Sequence, residues 1–181
     1  MTQAFLGIGS NIRPEENVVA ALELLTETSG ISLIGISTFY RTPALPNPLA
    51  SPQLPKRADP DFLNGVVAIS TELTPPGLGA VLSDVEEALG RVRTHDKYAP
   101  RILDLDLLVF LSDSTSDNEP RSPTHPDVLS RGFVAYPLLE LAPDLLLPDY
   151  GLPLSHIAAL LDGPGGKPEP DFTARLQNRF L

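Results

Sequence analysis

Two β-rich stretches stand next to each other in this chain, and that placement restricts the fold more than any other feature. Residues 31–41 (ISLIGISTFYR) and 62–71 (FLNGVVAIST) are rich in β-branched and aromatic residues and read as strands. Only residues 43–60 separate them, and six of those positions are proline. Proline fixes φ and removes an N–H, so neither a helix nor a central strand fits there, and the segment reads as a long loop. Loops of that length are functional or disordered more often than not. Two neighbouring strands with no helix between them also exclude the strict strand–helix alternation of a parallel sheet.

The rest of the chain completes an order. Residues 4–8 (AFLGI) read as a first strand that Gly9-Ser10-Asn11 ends. A helix follows over residues 14–28, with Pro14 suited to its first turn and Glu15 and Glu16 placed where the helix dipole favours anions. Its apolar stripe is Val18, Ala21, Leu22 and Leu25. Thr74 before Pro75 marks a second helix start, with Leu78, Val81, Leu82, Val85 and Leu89 along one face and Gly90 after its end. Residues 102–111 (ILDLDLLVFL) form the last strand of the set. The order β-α-β-β-α-β predicts an α+β, ferredoxin-like fold: a mostly antiparallel sheet with helices packed on it. Helices over 131–141 and 154–161 add to it at the C-terminal side. Gly163-Pro-Gly-Gly-Lys-Pro-Glu-Pro170 reads as a linker. The expected division is therefore a domain over residues 1–162 and a linker with a weakly ordered tail over 163–181.

Charge narrows the function. The chain carries 23 acidic and 13 basic side chains, a net charge of −10, which disfavours phosphate backbones and excludes a general nucleic-acid binder. It has no cysteine, so thiolate chemistry and Cys-based zinc sites are excluded. No run approaches the roughly 18 apolar residues of a membrane span, and the first residues do not read as a signal peptide. A cytoplasmic location is the expectation. Against this acidic background, Arg91, Arg93, Lys97 and Arg101 crowd into 11 positions, where an even spread would put about one. A local basic spot on an acidic chain fits a small polyanionic ligand, or a solvated loop.

Asp104-Leu105-Asp106 follows that spot inside the last strand. Side chains alternate faces along a strand, so both carboxylates share one face while Leu103, Leu105 and Leu107 take the other. Two neighbouring carboxylates repel unless a cation lies between them, and carboxylates with waters and phosphate oxygens are the ligand set of Mg²⁺. Alone, the pair also fits a solvated strand edge. Directly after four basic residues, it favours a metal site beside the phosphates of ATP. Other chemistries find little support. Gly7-Ile8-Gly9-Ser10 lacks the further residues of a phosphate loop and reads as a tight turn. His95, His125 and His156 show no metal spacing, and no G-x-S-x-G elbow occurs.

Several segments together resemble the 6-hydroxymethyl-7,8-dihydropterin pyrophosphokinase family. The strongest is GRVRTHDKYAPRILDLD, residues 90–106, which looks like that family's G-R-x-R…G-P-R-x-[LI]-D-[LI]-D signature. GIGSN (7–11), FYRTPAL (39–45), PDFLN (60–64) and HPDVLSRGFVAYPLLELAP (125–143) support it in the right order. The resemblance implies transfer of the β,γ-pyrophosphoryl group of ATP to the pterin hydroxymethyl oxygen, with release of AMP. It implies that Asp104 and Asp106 hold two Mg²⁺ ions, and that Arg91, Arg93 and Arg101 meet the triphosphate, with Arg91 and Arg101 also catalytic. Glu86, Tyr98, Leu107, His125 and Arg131 would complete the ATP site. Thr42, Pro43, Leu45, Phe62, Asn64, Tyr98, Asp104 and Phe133 would build the pterin pocket. The basic and proline-rich segments correspond to loops that close over both substrates. A monomer handling only small molecules is implied. The chain departs from the pattern at Tyr98 and Ala99, where tryptophan and glycine are common, and at Thr124, where proline is.

Overall fold

In the computed structural model, which describes residues 2–44, 60–91, 100–111 and 123–181, two apolar cores load opposite faces of one sheet. Strand β1 (Thr2–Ser10) lies at its centre and sends Ala4, Leu6 and Ile8 to one side and Phe5 to the other. Helix α1 (Pro14–Glu27) covers the first side with Val18, Ala21, Leu22 and Leu25, the predicted stripe. Helix α2 (Pro75–Ala88) joins it there through Leu78, Leu82 and Val85. Its Thr74 cap accepts a hydrogen bond from the Gly77 N–H at 3.3 Å.

The long second strand breaks in two. Strands β2 (Ile31–Ile36) and β3 (Tyr40–Thr42) both pair antiparallel with β4 (Phe62–Thr71), at its far and near ends respectively. Residues 37–39 leave the ladder between them because the Ser37 hydroxyl accepts the Val66 N–H at 2.9 Å and Phe39 turns into the core. β4 and β5 (Asp104–Leu111) flank β1, again antiparallel. This is the predicted ferredoxin-like order. The first strand runs past Ile8 to Ser10, so Gly7 and Gly9 are strand residues and not a turn.

Three helices cover the second face: α3 (Pro126–Ser130), α4 (Gly132–Leu141) and α5 (Leu154–Ala159). The sequence reading has no counterpart to α3, a single helical turn too short for a periodic signal. Pro137 neither starts nor ends α4 but lies buried inside it. A bulge in β5 opposite Phe5 and Leu6 lets Leu108 and Val109 both enter this second core.

The C-terminal residues correct the linker-and-tail expectation. Lys167 and Pro168 form a short strand, β6, on the edge of β3, and Pro170–Phe180 is a helix, α6. Phe172 and Leu176 are buried in the α1–α2 core, and the Phe172 ring meets Phe39 edge-on at 5.6 Å. The helix also occupies the groups that the break after β2 leaves open. The Phe39 N–H donates to the Thr173 hydroxyl at 2.9 Å, the Phe39 carbonyl accepts from the Glu169 N–H at 2.8 Å, and Gln177 Nε2 donates to the Ile36 carbonyl at 2.8 Å.

Candidate active site

The ends of β1, β4 and β5 meet on the second face of the sheet and floor a cleft of about 690 Å³. Gly7 and Gly9 carry no side chain there, which lets Leu108 and the Asn64 amide pack close over the floor. Thr42 and Pro43 after β3 and Phe62 and Asn64 of β4 line the cleft, as do Arg91, Arg101, Asp104 and Asp106 around the start of β5. His125, Asp127, Arg131 and Phe133 come from α3 and α4.

On the charged side, Asp104 lies between two guanidiniums. Its Oδ1 is 2.7 Å from Arg91 NH1, and its Oδ2 accepts from Arg101 NH1. Arg91 is held from behind by Glu86, a nearly fully buried carboxylate. Glu86 Oε1 also accepts the Leu105 N–H at 2.7 Å, so one buried group fixes both the cation and the strand that carries Asp104. Ser10 and Asn11, buried at the end of β1, anchor the backbone around Arg101. The Asn11 Oδ1 accepts the Arg101 N–H at 2.7 Å, and the Asn11 N–H donates to the Arg101 carbonyl at 3.1 Å. Asn11 Nδ2 donates to the Pro60 carbonyl at 3.2 Å, and the Ser10 hydroxyl to the Ile102 carbonyl at 2.5 Å.

Among the described residues, no guanidinium lies on Asp106. Its Oδ1 lies 3.8 Å from His125 Nε2. The other histidine nitrogen, Nδ1, accepts the Asp127 N–H at 3.3 Å and caps α3. Burial pushes the Asp106 carboxyl up to about 6, helped by the charge of Asp104 and then of Asp127 and Glu86, and opposed by His125. Arg131 Nε is buried 3.7 Å from Asp127 Oδ1, with no hydrogen-bond partner among the described residues.

The opposite side is uncharged. Thr42 is buried and its hydroxyl accepts from Asn64 Nδ2 at 2.7 Å, which orients the amide. Phe62 and Phe133 supply ring surface. Here the departure at Thr124 has a physical reason: its N–H donates to Asp149 Oδ2 at 2.5 Å, a bond that proline cannot make.

The cleft thus brings together Thr42, Pro43, Phe62, Asn64, Arg91, Arg101, Asp104, Asp106, His125, Arg131 and Phe133. Glu86 stands behind Arg91 and does not line the cleft, and Leu107 packs into the α1–α2 core on the other face. Leu45, Arg93 and Tyr98 lie outside the described residues. Sequence reasoning missed Ser10, Asn11 and Asp127. Ser10-Asn11 carried a signal, since two polar residues closing an apolar strand next to glycines are candidates for side-chain to backbone bonding.

At the open end of an antiparallel α+β sheet, the cleft thus sets paired carboxylates and guanidiniums beside an uncharged pocket with aromatic walls. A sequence profile of 7,8-dihydro-6-hydroxymethylpterin-pyrophosphokinase (HPPK) matches residues 5–143. The 2-amino-4-hydroxy-6-hydroxymethyldihydropteridine pyrophosphokinase of Methylorubrum extorquens is 43% identical over 149 residues, 81% of this chain and 87% of that protein. The folic acid synthesis protein of Schizosaccharomyces pombe is 34% identical over 163 residues, 90% of this chain and 21% of that protein. The crystal structure of the Plasmodium falciparum HPPK-DHPS superposes with a TM-score of 0.52 at 15% identity, over 99% of this chain and 45% of that one, a likeness of fold. The chain belongs to the HPPK family, the pyrophosphokinases of folate biosynthesis.

Proposed function

We propose that the cleft transfers the β,γ-pyrophosphoryl group of ATP to the hydroxymethyl oxygen of 6-hydroxymethyl-7,8-dihydropterin and releases AMP, with Mg²⁺ held by Asp104 and Asp106. The observation that carries this reading is the carboxylate pair on one strand face, flanked by Arg91 and Arg101, at the mouth of an uncharged pocket.

The residues present suit Mg²⁺. Burial first, and then the neighbouring charge of Asp104, raise Asp106 to about 6, so a cation beside the pair would be favourable. No group of three or more metal-binding side chains occurs among the described residues, so most ligands would be phosphate oxygens and water, the set Mg²⁺ prefers. Two ions held there by Asp104 and Asp106 would supply charge neutralisation for the triphosphate. The protein's own part is positioning and electrostatics, as in other phosphoryl transfers. Arg91 and Arg101 present planar forks that match phosphate as well as they match Asp104. Arg131 offers a buried N–H without an acceptor among the described residues, and His125 keeps Nε2–H toward the phosphate side because its Nδ1 is already an acceptor. Glu86 acts through Arg91. On the uncharged side, Asn64 offers its amide to the pterin edge, with Phe62 and Phe133 against the flat ring. Leu45, Arg93 and Tyr98 complete the two subsites in this reading. We place the enzyme in the cytoplasm as a monomer acting on small molecules. No described helix is long and apolar enough to cross a membrane.

The test is a nucleotide assay on purified protein with ATP and Mg²⁺, with and without the pterin. AMP that appears only when the pterin is present, in step with pterin diphosphate, is the expected result. ADP formation, or ATP consumption that ignores the pterin, overturns it.

A further inference from the structure

Between α5 and α6 the chain presses on both uncharged walls of the cleft. On one wall, Gly166 packs so closely on β3 that a Cβ there would stand 2.2 Å from the Arg41 carbonyl oxygen and 2.7 Å from Thr42 Cγ2. On the other wall, Gly132 sits between the cleft residues Arg131 and Phe133, and a Cβ on it would stand 1.9 Å from the Gly163 carbonyl oxygen. In both places the nearest obstacle is backbone, which cannot swing away as a flexible side chain does.

Each contact is pinned by neighbours. Lys167 and Pro168 pair with Arg41 and Tyr40, and Arg41 Nε donates to Glu169 Oε1 at 2.6 Å. Arg41 NH2 reaches Glu15 Oε1 at 2.9 Å. On the α4 side, the Tyr136 hydroxyl donates to the Leu161 carbonyl at 3.2 Å. Gly163 and Gly165, at φ 79° and 71°, turn the chain from one wall to the other. The family profile ends at residue 143, so this segment lies beyond the matched region.

We propose that residues 163–167 are a strap that sets the gap between the Thr42–Asn64 wall and Phe133, with Gly132 and Gly166 as positioning residues for the pterin. Thr42 is hydrogen-bonded to Asn64, so a displaced Arg41–Thr42 backbone carries the Asn64 amide with it, and a displaced Gly132 carries Phe133. Gly166 packs on Arg41 and Thr42, so that contact acts on the flat substrate, whereas Gly132 adjoins both Phe133 and the phosphate-side Arg131. The inference rests on the pterin reading of the uncharged side.

The experiment is steady-state kinetics of the full chain carrying Gly166→Ala or Gly132→Ala. In Gly166→Ala, KM for 6-hydroxymethyl-7,8-dihydropterin is expected to rise about tenfold, while KM for ATP and kcat at saturating pterin stay within about twofold; Gly132→Ala should raise the pterin KM likewise, with a smaller rise in the KM for ATP through Arg131. Gly151→Ala is the control: it lies outside the strap, its φ of 61° strains an alanine, and nothing lies within 4 Å of the new Cβ. It should lower thermal stability and leave both KM values unchanged. Arg41→Lys keeps the charge and loses the fork onto Glu169 and Glu15; a rise of about threefold in pterin KM is expected, and this variant decides if the alanine variants fail to fold. Unchanged pterin KM in the folded variants, or an equal rise in the KM for ATP in Gly166→Ala, overturns the strap. Wild-type protein that makes no pterin-dependent AMP overturns instead the functional reading, and the strap's part in that reaction with it.

Discussion

The charged side of the cleft takes Arg91, Arg101, Asp104 and Asp106 from one short stretch of chain, whereas the uncharged side collects Thr42, Asn64 and Phe133 from three distant ones. The first is held by side chains: Glu86 on Arg91, two guanidiniums on Asp104, Asn11 on the Arg101 backbone. The second is held by packing and by backbone, down to glycines that admit no Cβ. Strong, long-range charge interactions can be arranged by a few local bonds. The width of a slot for a flat ring must instead be set by the whole assembly around it. Substitutions on the charged side should therefore change the rate, and those on the uncharged side should change affinity for one substrate.

The largest break in that contrast comes from the carboxylates. Asp104→Ala or Asp106→Ala should lower kcat on the order of 10³-fold or more, with circular dichroism and the unfolding temperature close to wild type. Near-normal turnover in either variant would sink the metal assignment. Next comes Arg101→Ala, expected to cost about 10²-fold in kcat while the KM for ATP moves less than about fivefold, since the guanidinium matters most where charge develops. Equal losses in both constants would reduce Arg101 to a ground-state contact. On the other side, Asn64→Ala should raise the pterin KM about tenfold with kcat nearly kept, because it deletes one hydrogen-bonding amide and orphans Thr42. A rate defect of the same size would erase the distinction between the two sides.

The same division decided what could be read from the chain. The charged side was legible because period-two alternation places Asp104 and Asp106 on one face, and because the arginines are close in sequence. The sheet order was legible from two adjacent strands around a proline-rich segment. The supports were not. Glu86 is singled out only by the family resemblance, as an ATP-site carboxylate, and no local pattern shows that Leu105 and Arg91 converge on it. The C-terminal residues read as a linker because five of the six residues Gly163–Pro168 are glycine or proline, yet Gly166 serves close approach, and Gly163 and Gly165 serve turns at positive φ. Phe172, Leu176 and Phe180 recur every fourth residue, so helix α6 did leave a trace, but a short helix is stabilised mainly by what it packs on. Its partner, Phe39, lies in the gap between β2 and β3, which no local pattern marks.

The smallest expected effect tests the charged side with no substrate present. In the metal-free protein Asp106 is raised from 3.8 to about 6. Below pH 3.8 it is protonated in both folded and unfolded chains and contributes nothing to the pH dependence. As pH rises through 3.8 toward 6, the unfolded chain loses its proton first, so the folded state loses stability over that window and recovers none of it above. The full shift would correspond to about 3 kcal/mol, but the side chain is 42% exposed and solvent screening reduces the expectation to about 1 kcal/mol. Asp106→Asn removes the ionisation. In urea unfolding with chelator present, variant and wild type should match near pH 4, and the variant should be more stable by that amount at pH 7.5. Saturating Mg²⁺ should reverse the order at pH 7.5, since it binds the folded carboxylate pair that the variant lacks. A difference that ignores both pH and Mg²⁺ would mean that Asp106 is an ordinary surface carboxylate, and the charged side would then rest on Asp104 and its arginines alone.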